Sequence, residues 1–210
     1  MDLIYCADGN SRFAQIAIDT GFRYGAQLPN TVYHPPFFVD QKWRKPEREK
    51  YMSALQMHRP QIATVLDLET EGQLLEVLEW AEEAAAYAQT VVIIPKVQGI
   101  VAHLPRTIAG AEVRLGYSVP TSFAGTELPL WDFSGWPVHL LGGTPHAQMR
   151  IARYLNVQSA DGNAAQRAAL SWGIEWRGGR WVHGKPYAED VPYNVFADSC
   201  HNIMQAWARI

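Results

Sequence analysis

The tetrapeptide Ala-Asp-Gly-Asn occurs twice, at 7–10 and again at 160–163, each time where an apolar run ends and a helical pattern begins. Asp8 and Asp161 can therefore be turn and helix-cap residues, since Asp and Asn cap helices and Gly permits positive φ. They can equally be carboxylates presented at strand ends. A third, Asp67, closes the run Ile62-Ala63-Thr64-Val65-Leu66-Asp67. If the strands run parallel into one mouth, the three acids meet there and can divide nucleophilic and acid/base roles.

Other residues could complete such a site. Gln98 ends Ile94-Pro95-Lys96-Val97-Gln98-Gly99, and its amide offers the donor and acceptor that a nucleobase edge requires, although a loop glutamine is as often merely solvated. Gly116, Gly142 and Gly143 leave room for a flat ligand to approach the backbone, and turns alone also account for such glycines. His139 alternates with Val138 and Leu140, the pattern of a satisfied interior histidine. None of the seven histidines shows HxH or HxxxH spacing, so no metal is expected. Lys42, Arg44, Lys45, Arg48, Lys50 and Arg59 gather near one loop, and Arg177, Arg180 and Lys185 flank Trp176 and Trp181. Such interleaving suits phosphates and stacked bases, and a solvated face explains it equally well.

The elements that would position these residues alternate short β-branched runs with segments of helical period. Strands are expected at 3–7, 24–28, 62–68, 90–97, 112–119, 137–141 and 157–160, with an eighth within 171–176. Thr70 and Gln73 have capping-box spacing ahead of a helix whose apolar stripe reads Leu74, Leu78, Ala81, Ala85 and Ala88. Pro46 opens a helix to His58 with Tyr51 and Leu55 inward. A last helix over 194–208 lines up Phe196, Cys200, Ile203 and Trp207, which makes Cys200 a packing residue. Trp176 to Trp181 reads as a hairpin with a two-residue turn. The pattern predicts an α/β fold, a compact (β/α)8 TIM-like barrel with some helices shortened, filling one domain over 1–210; an open doubly wound sheet is the alternative. The excursions 29–44 and 120–136, the latter with Phe123, Trp131, Phe133 and Trp136, would lie on the ligand-binding rim.

With 210 residues, 48% of them apolar and 19% charged, the chain can bury a substantial core and is neither disordered nor collagenous. A formal net charge of −3 excludes a general polycation, so any nucleic-acid contact must be local. Two cysteines are too few for a disulfide scaffold or a thiolate zinc site, and a reducing cytoplasm is expected. No leader or membrane segment is expected from the start of the chain or from its apolar runs.

The order of the short motifs is informative. Asp8-Gly9-Asn10-Ser11-Arg12-Phe13, Ala63 to Asp67, Pro95 to Gly99, Leu115-Gly116-Tyr117-Ser118, His139-Leu140-Leu141-Gly142-Gly143-Thr144-Pro145 and Ser159 to Asn163 together resemble the queuine/archaeosine tRNA-guanine transglycosylase superfamily. The resemblance spans roughly 3–185 and is nearest to the shortened DNA 7-deazaguanine transglycosylases of phages and bacterial modification clusters. It implies a barrel enzyme that cleaves the N-glycosidic bond of guanine, holds the sugar on an aspartate and couples a 7-deazaguanine base such as a preQ0-type precursor. By motif position Asp161 would be the nucleophile and Asp8 the general acid/base. Asp67, Gln98 and Gly116 would read the purine edge, with Leu141, Phe13 and Gly142 against the base. DNA would be the partner, contacted through Lys42, Arg44, Lys45, Arg177, Arg180 and Lys185, with no cofactor and no membrane, and a homodimer left open. The Cys-rich zinc subdomain of the tRNA enzymes has no counterpart in this sequence, and Asn10 replaces a usual small residue, which favours DNA over tRNA. A duplex base would have to be flipped out, which the aromatic excursion could assist. The chemistry suits the residue types: one carboxylate traps an electron-poor C1′ while a second carboxyl manages the proton on the base. A hydrolytic N-glycosidase and a catalytically inactive purine- or nucleic-acid-binding module are the competing readings.

Overall fold

The computed structural model describes residues 1–7, 11–42, 44–122, 125–185, 187 and 189–210. Eight parallel strands among them close into a barrel: β1 (Asp2–Cys6), β2 (Arg23–Leu28), β3 (Phe38–Gln41), β4 (Ile62–Leu68), β5 (Thr90–Pro95), β7 (Ala111–Ser118), β8 (Pro137–Leu141) and β9 (Asn156–Gly162). Closure is completed where β5 pairs with β7 and β9 pairs with β1, both in parallel. The two-residue β6 (Thr107–Ile108) is an antiparallel extension on β7. The fold is a (β/α)8 TIM barrel. Among the described residues no helix is long and apolar enough to cross a membrane.

The strand that sequence reasoning misplaced is β3. It lies inside the excursion 29–44, whose flanking prolines and short length hide a four-residue strand. The run expected at 171–176 supplies β10 (Ile174–Arg177), which pairs only with β11 (Arg180–His183) outside the barrel. That hairpin has the expected turn: Gly178 and Gly179 both take positive φ between the paired Arg177 and Arg180.

Helices α1 (Ser11–Asp19), α2 (Arg48–His58), α3 (Leu74–Ala85), α4 (Pro145–Ala152), α5 (Ala164–Trp172) and α6 (Val191–Trp207) cover the outside. After β5 and β7 only 3₁₀ turns, Ile100–His103 and Leu130–Phe133, stand in that role, so the helical layer is shortened as expected. The capping box of Thr70 and Gln73 forms, but its turn is 3₁₀, and α3 begins afterwards. Consequently the stripe of α3 is rotated by a residue from the one expected: Val77, Trp80, Ala81 and Ala84 are buried. Tyr51 and Leu55 of α2 point inward, and Phe196, Cys200, Ile203 and Trp207 of α6 are buried. Burial pushes the Cys200 thiol up to about 12, so it stays protonated and packs.

Strand alternation divides the apolar residues between two cores. Outward residues such as Leu3, Val39, Val65, Val91 and Leu140 join the helices in the large core. Ile4, Phe38, Ile62, Val92 and Ile94 form a second cluster inside the barrel. This inner apolar set comes from β1, β3, β4 and β5, whereas β7, β8 and β9 place Arg114, His139 and Ser159 in buried positions. The two halves meet where the Phe38 and His139 rings stack with centroids 4.7 Å apart.

Candidate functional site

Every barrel strand or its end contributes a side chain to one cleft of about 840 Å³: Cys6, Gln27, Asp40, Asp67, Lys96, Ser118, Leu141 and Asp161. These residues lie at the C-terminal ends of the strands, the mouth where barrel enzymes place their chemistry. Simple alternation from Thr64 would point Leu66, not Asp67, into the barrel. A register irregularity between Thr64 and Asp67 shifts the pattern and brings Asp67 to the cleft. Lys96 continues the inward series Val92, Ile94 beyond β5. Its ammonium donates to Ser118 Oγ at 2.9 Å and lies 3.6 Å from Asp67 Oδ2. Burial raises the Asp67 carboxyl above the usual carboxylate range, opposed by the charge of Lys96.

Asp40 is a carboxyl that sequence reasoning did not select, because its strand was hidden in the excursion. Thr64 Oγ1 donates to Asp40 Oδ1 at 2.8 Å and itself accepts from the Gln41 backbone N–H at 3.0 Å. The adjoining carbonyl of Thr64 accepts from the buried Tyr51 hydroxyl at 2.6 Å, which ties this wall of the cleft to α2. Desolvation, followed by the negative charge of Asp161, lifts Asp40 to about 7, while hydrogen bonds from Thr64 and Gln27 act the other way.

Asp161 closes β9 with one oxygen, Oδ1, 3.2 Å from His139 Nε2. The other ring nitrogen, Nδ1, lies 2.7 Å from Ser159 Oγ, which also receives Arg114 Nη1 at 2.8 Å. Gln148 Nε2 donates to the carbonyls of both Gly142 and Asp161, fastening the loops after β8 and β9 to each other. Gly143 has φ +77° and a Cβ there would meet Val119 Cγ1 at 2.4 Å, so the loop passes close to the β7 end only without a side chain.

The structure therefore brings Asp67, Leu141, Gly142 and Asp161 together, as expected. Gly116 lies below them in the barrel, where an added Cβ would meet Ile94 Cγ1 at 2.5 Å and Leu141 Cδ1 at 2.8 Å. Its place is to let the cleft floor close, not to line the cleft. Gly116→Ala is expected to destabilise the fold by about 1–3 kcal/mol through overpacking, read by urea denaturation.

Two expected base contacts are corrected. Phe13 is fully buried where α1 packs against α6, its ring centroid 4.6 Å from that of Tyr193 and 5.0 Å from that of Phe196. It cannot reach the cleft. Gln98 is exposed in the turn beyond β5, and Lys96, two residues earlier, takes the inward position instead. Asp8 lies outside the described residues; Ala7 before it lines the cleft.

Lys42 and the exposed Arg44 and Lys45 follow β3 at the cleft end of the barrel. Arg177 pairs with buried Glu175 at 3.1 Å, and Lys185 lies 3.9 Å from Asp198, while Arg180 is exposed beside the hairpin turn. Of the aromatic excursion, Phe133 and Trp136 are buried, the latter under the Arg106 guanidinium at 3.6 Å, and Trp131 is 77% exposed. Phe123 lies outside the described residues. The expected aromatic wedge is thus reduced to Trp131 among the described positions, because the other two rings complete the core.

The fold and site define a (β/α)8 barrel with an acid-rich cleft at its C-terminal mouth. The chain belongs to DUF6610, a family of unknown function, which it matches over residues 14–208. No curated protein matches it. Among solved structures it is similar to N-(5′-phosphoribosyl)anthranilate isomerase from Pyrococcus furiosus, at 10% identity and a TM-score of 0.41, over 98% of this chain and 99% of that one.

Proposed function

We propose that this protein is a base-exchange transglycosylase that replaces guanine in DNA with a 7-deazaguanine base through a covalent aspartyl-sugar intermediate. The observation that carries the reading is the carboxyl pair Asp161 and Asp40 in one cleft, where the charge of the first helps keep a proton on the second at neutral pH. Two carboxyls with separated proton affinities are the arrangement that glycosidic chemistry uses. Asp67 and Leu141, which the motif order offers as purine contacts, line the same cleft.

Asp161 attacks C1′ through a carboxylate oxygen as the C1′–N9 bond breaks and its electron pair leaves with the purine. Asp40 gives its proton to the departing base. The incoming 7-deazaguanine loses its N9 proton to the Asp40 carboxylate, its N9 attacks C1′, and the ester C1′–O bond breaks to return Asp161. Asp67 accepts hydrogen bonds from purine N–H groups, so a base lacking them leaves a desolvated acid unpaired. Acidic side chains outnumber basic ones in the cleft, which disfavours entry of the phosphate backbone. An extruded base enters while Lys42, Arg44 and Lys45 meet phosphates at the rim.

The test is incubation of the protein with guanine-containing DNA and labelled guanine. Label entering the DNA is expected. Free guanine released without incorporation would identify a hydrolase, and neither outcome would leave a binding module.

A further inference from the structure

The barrel interior holds a polar chain that the proposed chemistry does not require and that ends on the proposed nucleophile. At its lower end Glu112 Oε2 accepts from Arg114 Nη2 at 2.9 Å. Arg114 Nη1 continues to Ser159 Oγ, Ser159 to His139 Nδ1, and His139 Nε2 to Asp161 Oδ1, at 2.8, 2.7 and 3.2 Å. Ser159 and His139 have no exposed surface, and Arg114 is 8% exposed. A buried polar chain in the middle of a barrel costs desolvation that an apolar layer would avoid.

Hydrogen-bond capacity fixes the direction of the chain. The carboxylate oxygen facing Nε2 can only accept, so Nε2 carries the proton. In the neutral imidazole Nδ1 is then an acceptor and receives the single hydroxyl proton of Ser159. Ser159 is free to give that proton because its own oxygen is already met by a guanidinium that can only donate. Phe38, stacked on the imidazole at 4.7 Å, blocks rotation of the ring out of this line.

We infer that His139, oriented by Ser159 and Arg114, is a positioning residue that fixes the Asp161 carboxylate, engaging Oδ1 and leaving Oδ2 free to attack. The inference rests on the base-exchange reading for its kinetic consequence and on the hydrogen-bond geometry alone for the tautomer. Misplacement of a reacting group by about 1 Å costs roughly 10²-fold in rate. His139→Phe removes the donor and is expected to slow exchange by roughly that factor without weakening guanine binding. His139→Gln, which can place an amide N–H near the Nε2 position, is expected to recover most of the loss.

The experiment combines ¹⁵N-edited NMR of the histidine rings with exchange kinetics on wild type, His139→Phe, His139→Gln and Ser159→Ala. The wild type is expected to show His139 protonated at Nε2 with Nδ1 accepting, and Ser159→Ala to lose that signature. A wild-type ring protonated at Nδ1, as the other tautomer or as imidazolium, or a His139→Phe variant that exchanges guanine at the wild-type rate, overturns the inference. A His139→Gln variant that folds and binds guanine but is as slow as His139→Phe also overturns it. Failure of the wild type to exchange guanine, with the Nε2–H signature present and dependent on Ser159, overturns the base-exchange reading and leaves the relay to Asp161 standing.

Discussion

Asp161→Asn is expected to lower guanine exchange by at least about 10⁴-fold while guanine binding stays nearly unchanged. The amide oxygen is a far weaker nucleophile than a carboxylate oxygen, and loss of a covalent nucleophile is among the costliest single changes an enzyme can suffer. The binding surface persists, because Asp67 and Leu141 come from β4 and β8 and do not depend on the charge at 161. An Asn side chain can still accept from His139 through its carbonyl, so the fold is expected to hold. Steady-state exchange and calorimetric titration with guanine separate the two effects. Wild-type exchange in Asp161→Asn would reduce Asp161 to a turn residue at the end of β9.

Asp40→Asn is expected to slow exchange by roughly 10² to 10⁴, the usual share of a general acid/base. The pH dependence identifies the residue more sharply than the rate. Departure of guanine needs Asp40 protonated, so formation of the sugar-enzyme adduct falls as pH rises through about 7. Coupling of the incoming base needs the carboxylate, so that half-reaction falls as pH drops through the same value. Asp40→Asn removes both limbs. The same shift sets the direction of Asp40's own contribution to stability: the raised value, about 7 against 3.8 for an ordinary aspartate, means that this carboxyl holds its proton in the folded chain and loses it in the unfolded one between those limits. That contribution therefore falls as pH rises from about 4 to about 7. Because the carboxyl opens on the cleft and is partly screened, the loss is about 2 kcal/mol. Asp40→Asn is expected to be more stable than wild type at pH 8 and not at pH 4, measured by denaturant melts at the two values.

The sequence announces the barrel through apolar, β-branched runs that take turns with segments of helical period, as with Ile62–Leu68 ahead of Leu74–Ala85. A four-residue strand such as Phe38–Gln41 carries too few positions for a period, and the prolines around it read as loop. With that strand went Asp40. Asp67 and Asp161 were legible because turn signals follow them and mark strand ends. Lys96 and Gln98 show the limit of a motif: both end the same run and both share the parity of Val92 and Ile94, but β5 ends at Pro95 and the chain turns over 97–99, so Lys96 lines the cleft and Gln98 is carried out to solvent. Phe13 follows the first motif closely in sequence, yet the helical period turns it to the core against Phe196 and Tyr193. His139 reads correctly as an interior residue, but its link to Asp161 is a contact between adjacent strands, which no local pattern reveals.

The measurement closest to the central claim is a denaturing gel with intact-mass and peptide mapping of protein incubated with guanine-containing DNA, without incoming base. A slow-migrating protein-DNA adduct is expected, attached to the peptide containing Asp161, absent in Asp161→Asn and discharged by added 7-deazaguanine base. Exchange of guanine with no adduct, or an adduct attached at another residue, would contradict the account.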